Sequence, residues 1–143
     1  MAVEGISPTV SFPEIGTVEN PAVFYDGRTV FLSYEIAPVS GGGVAILKFD
    51  DVIEFRIDPM TVEGLRAAEF PVKPWDFQEV TGSEKTERWK ALKPRFWTIS
   101  FNDETIEVVF KQVELINRTR EATAPDAALR ELLASNKADR FQP

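Results

Sequence analysis

The chain has 143 residues, 43% of them hydrophobic and 27% charged, with a formal net charge of −7. That is enough for one domain with a core of its own, and it excludes wholesale disorder. Cysteine and histidine are both absent, which excludes disulfides, thiol nucleophiles, imidazole or thiolate metal sites and Ser-His-Asp chemistry.

No apolar run approaches the roughly 20 residues that span a bilayer. The start of the chain lacks the basic and apolar blocks of a signal peptide, so a cytoplasmic location is expected. The charge is uneven. Residues 1–70 hold four basic side chains (Arg28, Lys48, Arg56, Arg66) against eleven acidic ones, whereas residues 71–143 hold twelve of each. An acidic N-terminal half repels phosphate backbones, so a basic protein partner suits it better than nucleic acid.

Residues 1–18, rich in Pro, Gly and Ser, read as an irregular arm, followed by one domain over 19–136 and a frayed tail over 137–143. Val23 to Ile36 reads as a hairpin about Asp26-Gly27. A two-residue turn there pairs Tyr25 with Arg28 and Val23 with Val30. Val30, Leu32, Tyr34 and Ile36 then share one face. Phe24 and Phe31 lie on the other, awaiting a helix of the same chain or a second copy in a homodimer. Ser40-Gly41-Gly42-Gly43 reads as a flexible connection without the spacing of a phosphate loop.

Along Leu47 to Ile57, Leu47, Phe49, Ile53, Phe55 and Ile57 are expected on the core side, with Lys48, Asp50, Val52, Glu54 and Arg56 opposite. Asp51 breaks the pattern. In an unbroken strand its carboxylate would point into the apolar face as a functional acid; a bulge or bend at Asp50-Asp51 would swing it outward, and the bulge is preferred. A short helix is expected from Thr61 to Phe70, and a strand from Trp75 to Val80. A second helix, capped by Thr81 with Glu84 reaching back, should run to about Leu92 before Pro94. Its basic residues, with Trp89, could grip an anion, though a solvated helix face is preferred.

Arg95 to Ile116 has the clearest pattern. Trp97, Ile99 and Phe101 alternate with Phe96, Thr98 and Ser100, and Ile106, Val108 and Phe110 with Glu107 and Lys111, which is the period of strands with one apolar face. A four-residue loop over Asn102 to Thr105 pairs Phe101 with Ile106 and Trp97 with Phe110. A two-residue loop would keep the same face but set Phe101 against Glu104; the four-residue register is preferred. Past Phe110 the apolar positions shift to Val113 and Leu115, which implies a bulge or a change of face. A last helix from Thr123 to about Ala134 carries Leu129, Leu132 and Leu133 and is the expected cover for Phe24 and Phe31.

These elements give an α+β fold: a curled antiparallel sheet or partial β-barrel of five to seven strands with two or three covering helices. No catalytic residue, metal site or cofactor is expected. Asp50, Asp51, Glu54 and Asp58 lack the ligand spacing and the glycine of a calcium loop, and Asn102-Asp103-Glu104 is ordinary turn chemistry. Candidate binding residues are Trp75, Phe77, Trp89, Trp97 and Asp51, and candidate interface residues are Phe24 and Phe31.

Tyr34-Glu35-Ile36, Val44 to Val52 and Phe101 to Glu107 resemble a group of small bacterial proteins with a YEI strand and an FHDSTFE hairpin. This chain has Asn102 where that pattern has His, so no His-dependent role carries over. The resemblance implies a bacterial, β-rich protein of unestablished activity. The expected function is a non-enzymatic interaction domain of immunity type that meets a basic partner. The alternatives are a small-molecule pocket in the mouth of the sheet, lined by Trp75, Phe77 and Trp97, and, more weakly, a carboxylate- or metal-dependent hydrolase using Asp51 or Asp103.

Overall fold

The computed structural model describes residues 3–59, 70–121 and 123–140, the last five as backbone only. The helix expected over 61–70 therefore lies outside the described residues except for Phe70, which is buried. Among the described residues there are nine strands in two antiparallel sheets and two α-helices. The strands are β1 (Glu4–Ile6), β2 (Ala22–Tyr25), β3 (Val30–Glu35), β4 (Val44–Asp50), β5 (Glu54–Pro59), β6 (Phe77–Thr81), β7 (Arg95–Ser100), β8 (Glu104–Phe110) and β9 (Gln112–Thr119). The helices are α1 (Glu84–Arg88) and α2 (Pro125–Arg140).

One sheet has the order β1-β6-β7-β8-β5 and the other β2-β3-β4-β9. They are joined by a bent two-stranded ribbon, because β4 runs on into β5 and β8 into β9. At the bend Lys111 N–H donates to Asp50 O (3.1 Å) and Ile53 N–H to Val109 O (2.7 Å), so pairing continues round the corner. If each bent strand is counted once, the fold is one strongly curled, unclosed sheet of seven strands.

Asp51 makes the bend. Its backbone is left-handed (φ +52°), and its carboxylate turns outward to Arg28 at 3.2 Å. That surface ion pair contributes little. The bulge reverses only the residues beside it, and Phe55 returns to the core side as expected. Val52 turns into the core and Ile53 to the opposite face, the reverse of a regular strand, while Ile57 is left exposed. The second bent strand changes face at Lys111, as the shift of apolar positions predicts, and carries a bulge opposite Ile46/Leu47.

The main core lies between the sheets. Leu32, Tyr34, Leu47 and Phe49 of one sheet meet Phe77, Trp97, Ile99, Ile106, Val108 and Phe110 of the other. Trp97 is wholly buried, edge-on to Phe12, Phe49, Phe77 and Phe110 at 5.3–5.9 Å. Contacts of this geometry contribute about 1 kcal/mol each beyond the area they bury. α2 covers the outer face of the four-stranded sheet, packing Ala128 and Leu129 on Phe31, Val44 and Ile46. The Ser33 hydroxyl, buried under it, donates to Pro125 O at 2.7 Å. The helix starts at Pro125, a favoured first position, and its backbone runs past Ala134 to Arg140.

Both hairpin registers differ from expectation by two residues, in opposite senses. Tyr25 pairs with Val30 and Val23 with Leu32, and Asp26 N–H donates to Thr29 O at 3.2 Å, so the tip of the first hairpin is Gly27-Arg28 rather than Asp26-Gly27. The Asp26 carboxylate selects it by accepting from the N–H groups of Arg28 (2.9 Å) and Thr29 (2.7 Å). In the other hairpin Trp97 pairs with Val108 and Ile99 with Ile106. Phe101 N–H donates to Glu104 O at 2.8 Å, so only Asn102 and Asp103 form the tip. A shift of two leaves every side chain on its own face, so the burial pattern is as expected.

The N-terminal segment is more than an irregular arm. β1 pairs with β6, Phe12 packs on Phe77 and Trp97, and the buried Tyr34 hydroxyl donates to Pro13 O at 2.9 Å. β6 begins at Phe77 rather than Trp75, and Ser83 rather than Thr81 caps α1, its hydroxyl accepting from Thr86 N–H at 3.4 Å.

Candidate interaction site

The end of the molecule that carries the Asn102-Asp103 tip also gathers carboxylates that form no ion pair among the described residues. Here Glu35 closes β3 and Pro38–Ser40 forms a short 3-10 helix. Gly41, Gly42 and Gly43 then turn the chain with φ of +102°, +68° and +85°. The glycine run is a shaped corner: a Cβ on Gly43 would stand 1.8 Å from Thr119 O.

The segment 14–19 wraps this corner. Gly16 N–H donates to Glu35 O (2.7 Å), Ala37 N–H to Glu14 O (2.8 Å) and Glu14 N–H to the Ser40 hydroxyl (3.2 Å), while Ile15 bridges to Ile36. The N–H groups of Val18 (3.0 Å) and Glu19 (3.4 Å) both donate to Glu35 Oε1. Thr17, Val18, Glu19, Glu35, Ile36, Pro38, Gly42, Gly43, Glu121, Thr123 and Ala124 enclose a cleft of about 570 Å³, within the size range of ligand and side-chain pockets.

Glu14, Glu19, Glu35 and Glu121 have no lysine or arginine within ion-pair distance among the described residues. Arg118, at the same end, donates to the Ser40 carbonyl. The hairpin tip adds charge. Asn20 Nδ2 donates to Asp103 Oδ2 (2.8 Å) and Asp103 N–H to Asn20 Oδ1 (3.0 Å), which fixes Asp103 one residue from Glu19. Burial, followed by the neighbouring Asp103 charge, raises Glu104 above the usual carboxylate range.

The residues singled out in the sequence do not converge. Trp97 and Phe77 are in the core, and Trp97 Nε1 donates to Glu79 Oε1 at 3.0 Å. Trp89 is half-buried beside α1 and donates to Glu54 Oε2 at 3.1 Å. Trp75 is exposed in a turn, and Asp51 is in the surface pair at the corner. Phe31 is covered by α2, as expected, whereas Phe24 stays 41% exposed. Asp51 and Asp103 occupy separate ends of the strands, and no group of three or more acidic residues among those described is arranged to hold a metal ion. Among the described residues no helix is long and apolar enough to cross a membrane.

No family model matches the chain, and no curated protein or solved structure shows significant similarity to it. Glu19, Glu35 and Glu121 were not evident in the sequence because they come from three distant segments; the glycine run that follows Glu35 and packs against Thr119 was the one local signal.

A second acidic group is structural. Burial pushes the Glu79 carboxyl up, but hydrogen bonds from Arg95 (2.7 Å) and Trp97, and the Arg95 charge, outweigh it and hold the group below its ordinary value. A depressed carboxyl contributes stability above its unfolded-state value and loses it as pH falls through the folded value. The wild type should therefore lose more stability between about pH 5 and pH 3 than Glu79→Gln, measured as urea midpoints across that range. Parallel pH profiles for the two proteins would refute this.

Proposed function

We propose that the protein is a non-enzymatic interaction domain that binds a basic protein partner through its acidic end, as an immunity-type protein does. The observation that supports this is the arrangement of Glu19, Glu35 and Glu121, none of them ion-paired among the described residues, around a cleft with Val18 and Pro38 among its walls, with Glu14 on the segment that leads into it. Uncompensated like charges raise the energy of the free protein, and a cationic surface relieves that repulsion on binding. The cleft gives one lysine or arginine side chain an apolar wall for its stem and carboxylates for its head.

The experiment is isothermal titration of the full chain with an Arg/Lys-rich peptide at about 0.05 M and about 0.5 M salt, because screening at the higher concentration removes most of a surface attraction. Glu19→Gln/Glu35→Gln/Glu121→Gln should weaken binding at low salt at least about tenfold, or roughly 1.4 kcal/mol. Binding indifferent to salt and to the triple substitution would refute the reading. So would preference for an acidic peptide.

A further inference from the structure

The acidic end has a neighbour that folding does not account for. Trp75 is 43% exposed and its backbone is left-handed, with φ of +50°. Bulky side chains rarely adopt that conformation, and glycine or asparagine would adopt it with less strain. Exposing an indole also forgoes the burial that makes tryptophan useful in a fold. The other two tryptophans are placed conventionally, with their ring N–H groups on Glu79 and Glu54.

The turn that carries Trp75 is held from both sides. Pro74 precedes it, Asp76 Oδ1 accepts from Phe77 N–H at 2.7 Å, and Lys73 pairs with Asp76 at 3.2 Å. Ser100 N–H donates to Asp76 O at 3.1 Å, which extends the β6–β7 ladder by one step. Trp75 immediately precedes Asp76, and Ser100, the partner of Asp76, lies two residues before the Asn102-Asp103 tip that Asn20 ties to the segment bearing Glu19. An indole is thus displayed toward the end of the molecule where carboxylates without an ion pair among the described residues lie.

We propose that Trp75 is the anchor by which this end grips an arginine-bearing segment of the basic partner. The inference rests on the acidic-end reading and adds to it the residue and the cation that it selects. An indole face attracts a guanidinium through its quadrupole and stacks flat against it, while carboxylates beside it take the N–H groups. Ammonium, a compact and strongly hydrated charge, gains less from the ring. Backbone strain held at an exposed aromatic fits a contact residue, since such strain concentrates where function requires it, and exposed tryptophan is a common centre of binding energy.

The test uses the full chain and two peptides of equal length and charge, one with arginine and one with lysine as its only cation. Binding is followed by titration and by tryptophan emission, to which the exposed Trp75 responds. The wild type should bind the arginine peptide more tightly, with a shift in emission. Trp75→Gly and Trp75→Asn should keep the wild-type melting temperature or raise it, weaken arginine-peptide binding about tenfold or more, and lose the preference over lysine. Equal binding of both peptides by the wild type, or unchanged affinity in the two variants, would overturn the inference while leaving the acidic-end reading intact. A melting temperature lowered in both variants would assign Trp75 to folding instead. If the wild type binds neither peptide, both readings fall.

Discussion

Trp97→Ala should cost about 4 kcal/mol, the middle of the range for removing a buried aromatic, and so consume much of the roughly 5–15 kcal/mol that holds a typical domain together. Two losses add. The ring leaves a cavity between the sheets, where it meets Phe12, Phe49, Phe77 and Phe110 edge-on. Its N–H also leaves Glu79, which keeps Arg95 as a donor but loses one of its hydrogen bonds. Urea denaturation should show a lower midpoint with an unchanged slope, and melting should fall by roughly 10 to 15 °C. Trp97→Phe separates the two terms, since it keeps most of the packing and removes only the donor. If Trp97→Ala shifts the midpoint no more than Trp97→Phe, the ring contacts are not what joins the sheets.

The second large effect should come from one methyl group. In Gly43→Ala the new carbon would stand 1.8 Å from Thr119 O, on a backbone with φ of +85°. Left-handed strain accounts for about 1–2 kcal/mol and the overlap for about 1–3 more, because β4 and β9 must part where they begin to pair. Gly27→Ala is the control. Gly27 has φ of +95° but nothing within 4 Å of its added carbon, so only the strain of about 1 kcal/mol applies. Thermal denaturation of both variants checks this, and equal losses would mean that the close approach to Thr119 carries no cost. Gly43 also lines the acidic cleft, so its substitution should disturb peptide binding where that of Gly27 does not.

How far the sequence carries is clearest at the two hairpins. Alternation assigned Val30, Leu32 and Tyr34, and Trp97, Ile99, Ile106 and Val108, to the face they occupy, because period two is a property of the backbone itself. It could not choose between registers two residues apart, which leave the faces unchanged. The deciding contacts are one local carboxylate, Asp26, and one remote amide, Asn20, 83 residues from the tip it clamps. A similar limit applies at Asp51: the broken pattern announced a bulge, but the direction in which Val52 and Ile53 would turn depended on the second sheet waiting at the corner.

The site was less legible than the fold, for a related reason. Aromatic density drew attention to Trp75, Phe77 and Trp97 together, yet alternation and turn geometry send two of them inward and one outward. The carboxylates of the acidic end are separated by up to about a hundred positions in the chain, and only the topology brings them side by side. Composition did contain the coarse signal, since the excess of acid lies in the first 70 residues. It did not contain Glu121, which is delivered to that end by β9.

The bent ribbon has a mechanical consequence. Because β4/β5 and β8/β9 are members of both sheets, neither sheet can lose its pairing without withdrawing strands from the other. The corner at Asp51 and Lys111 thus couples the two sheets, so denaturation should follow a single cooperative transition.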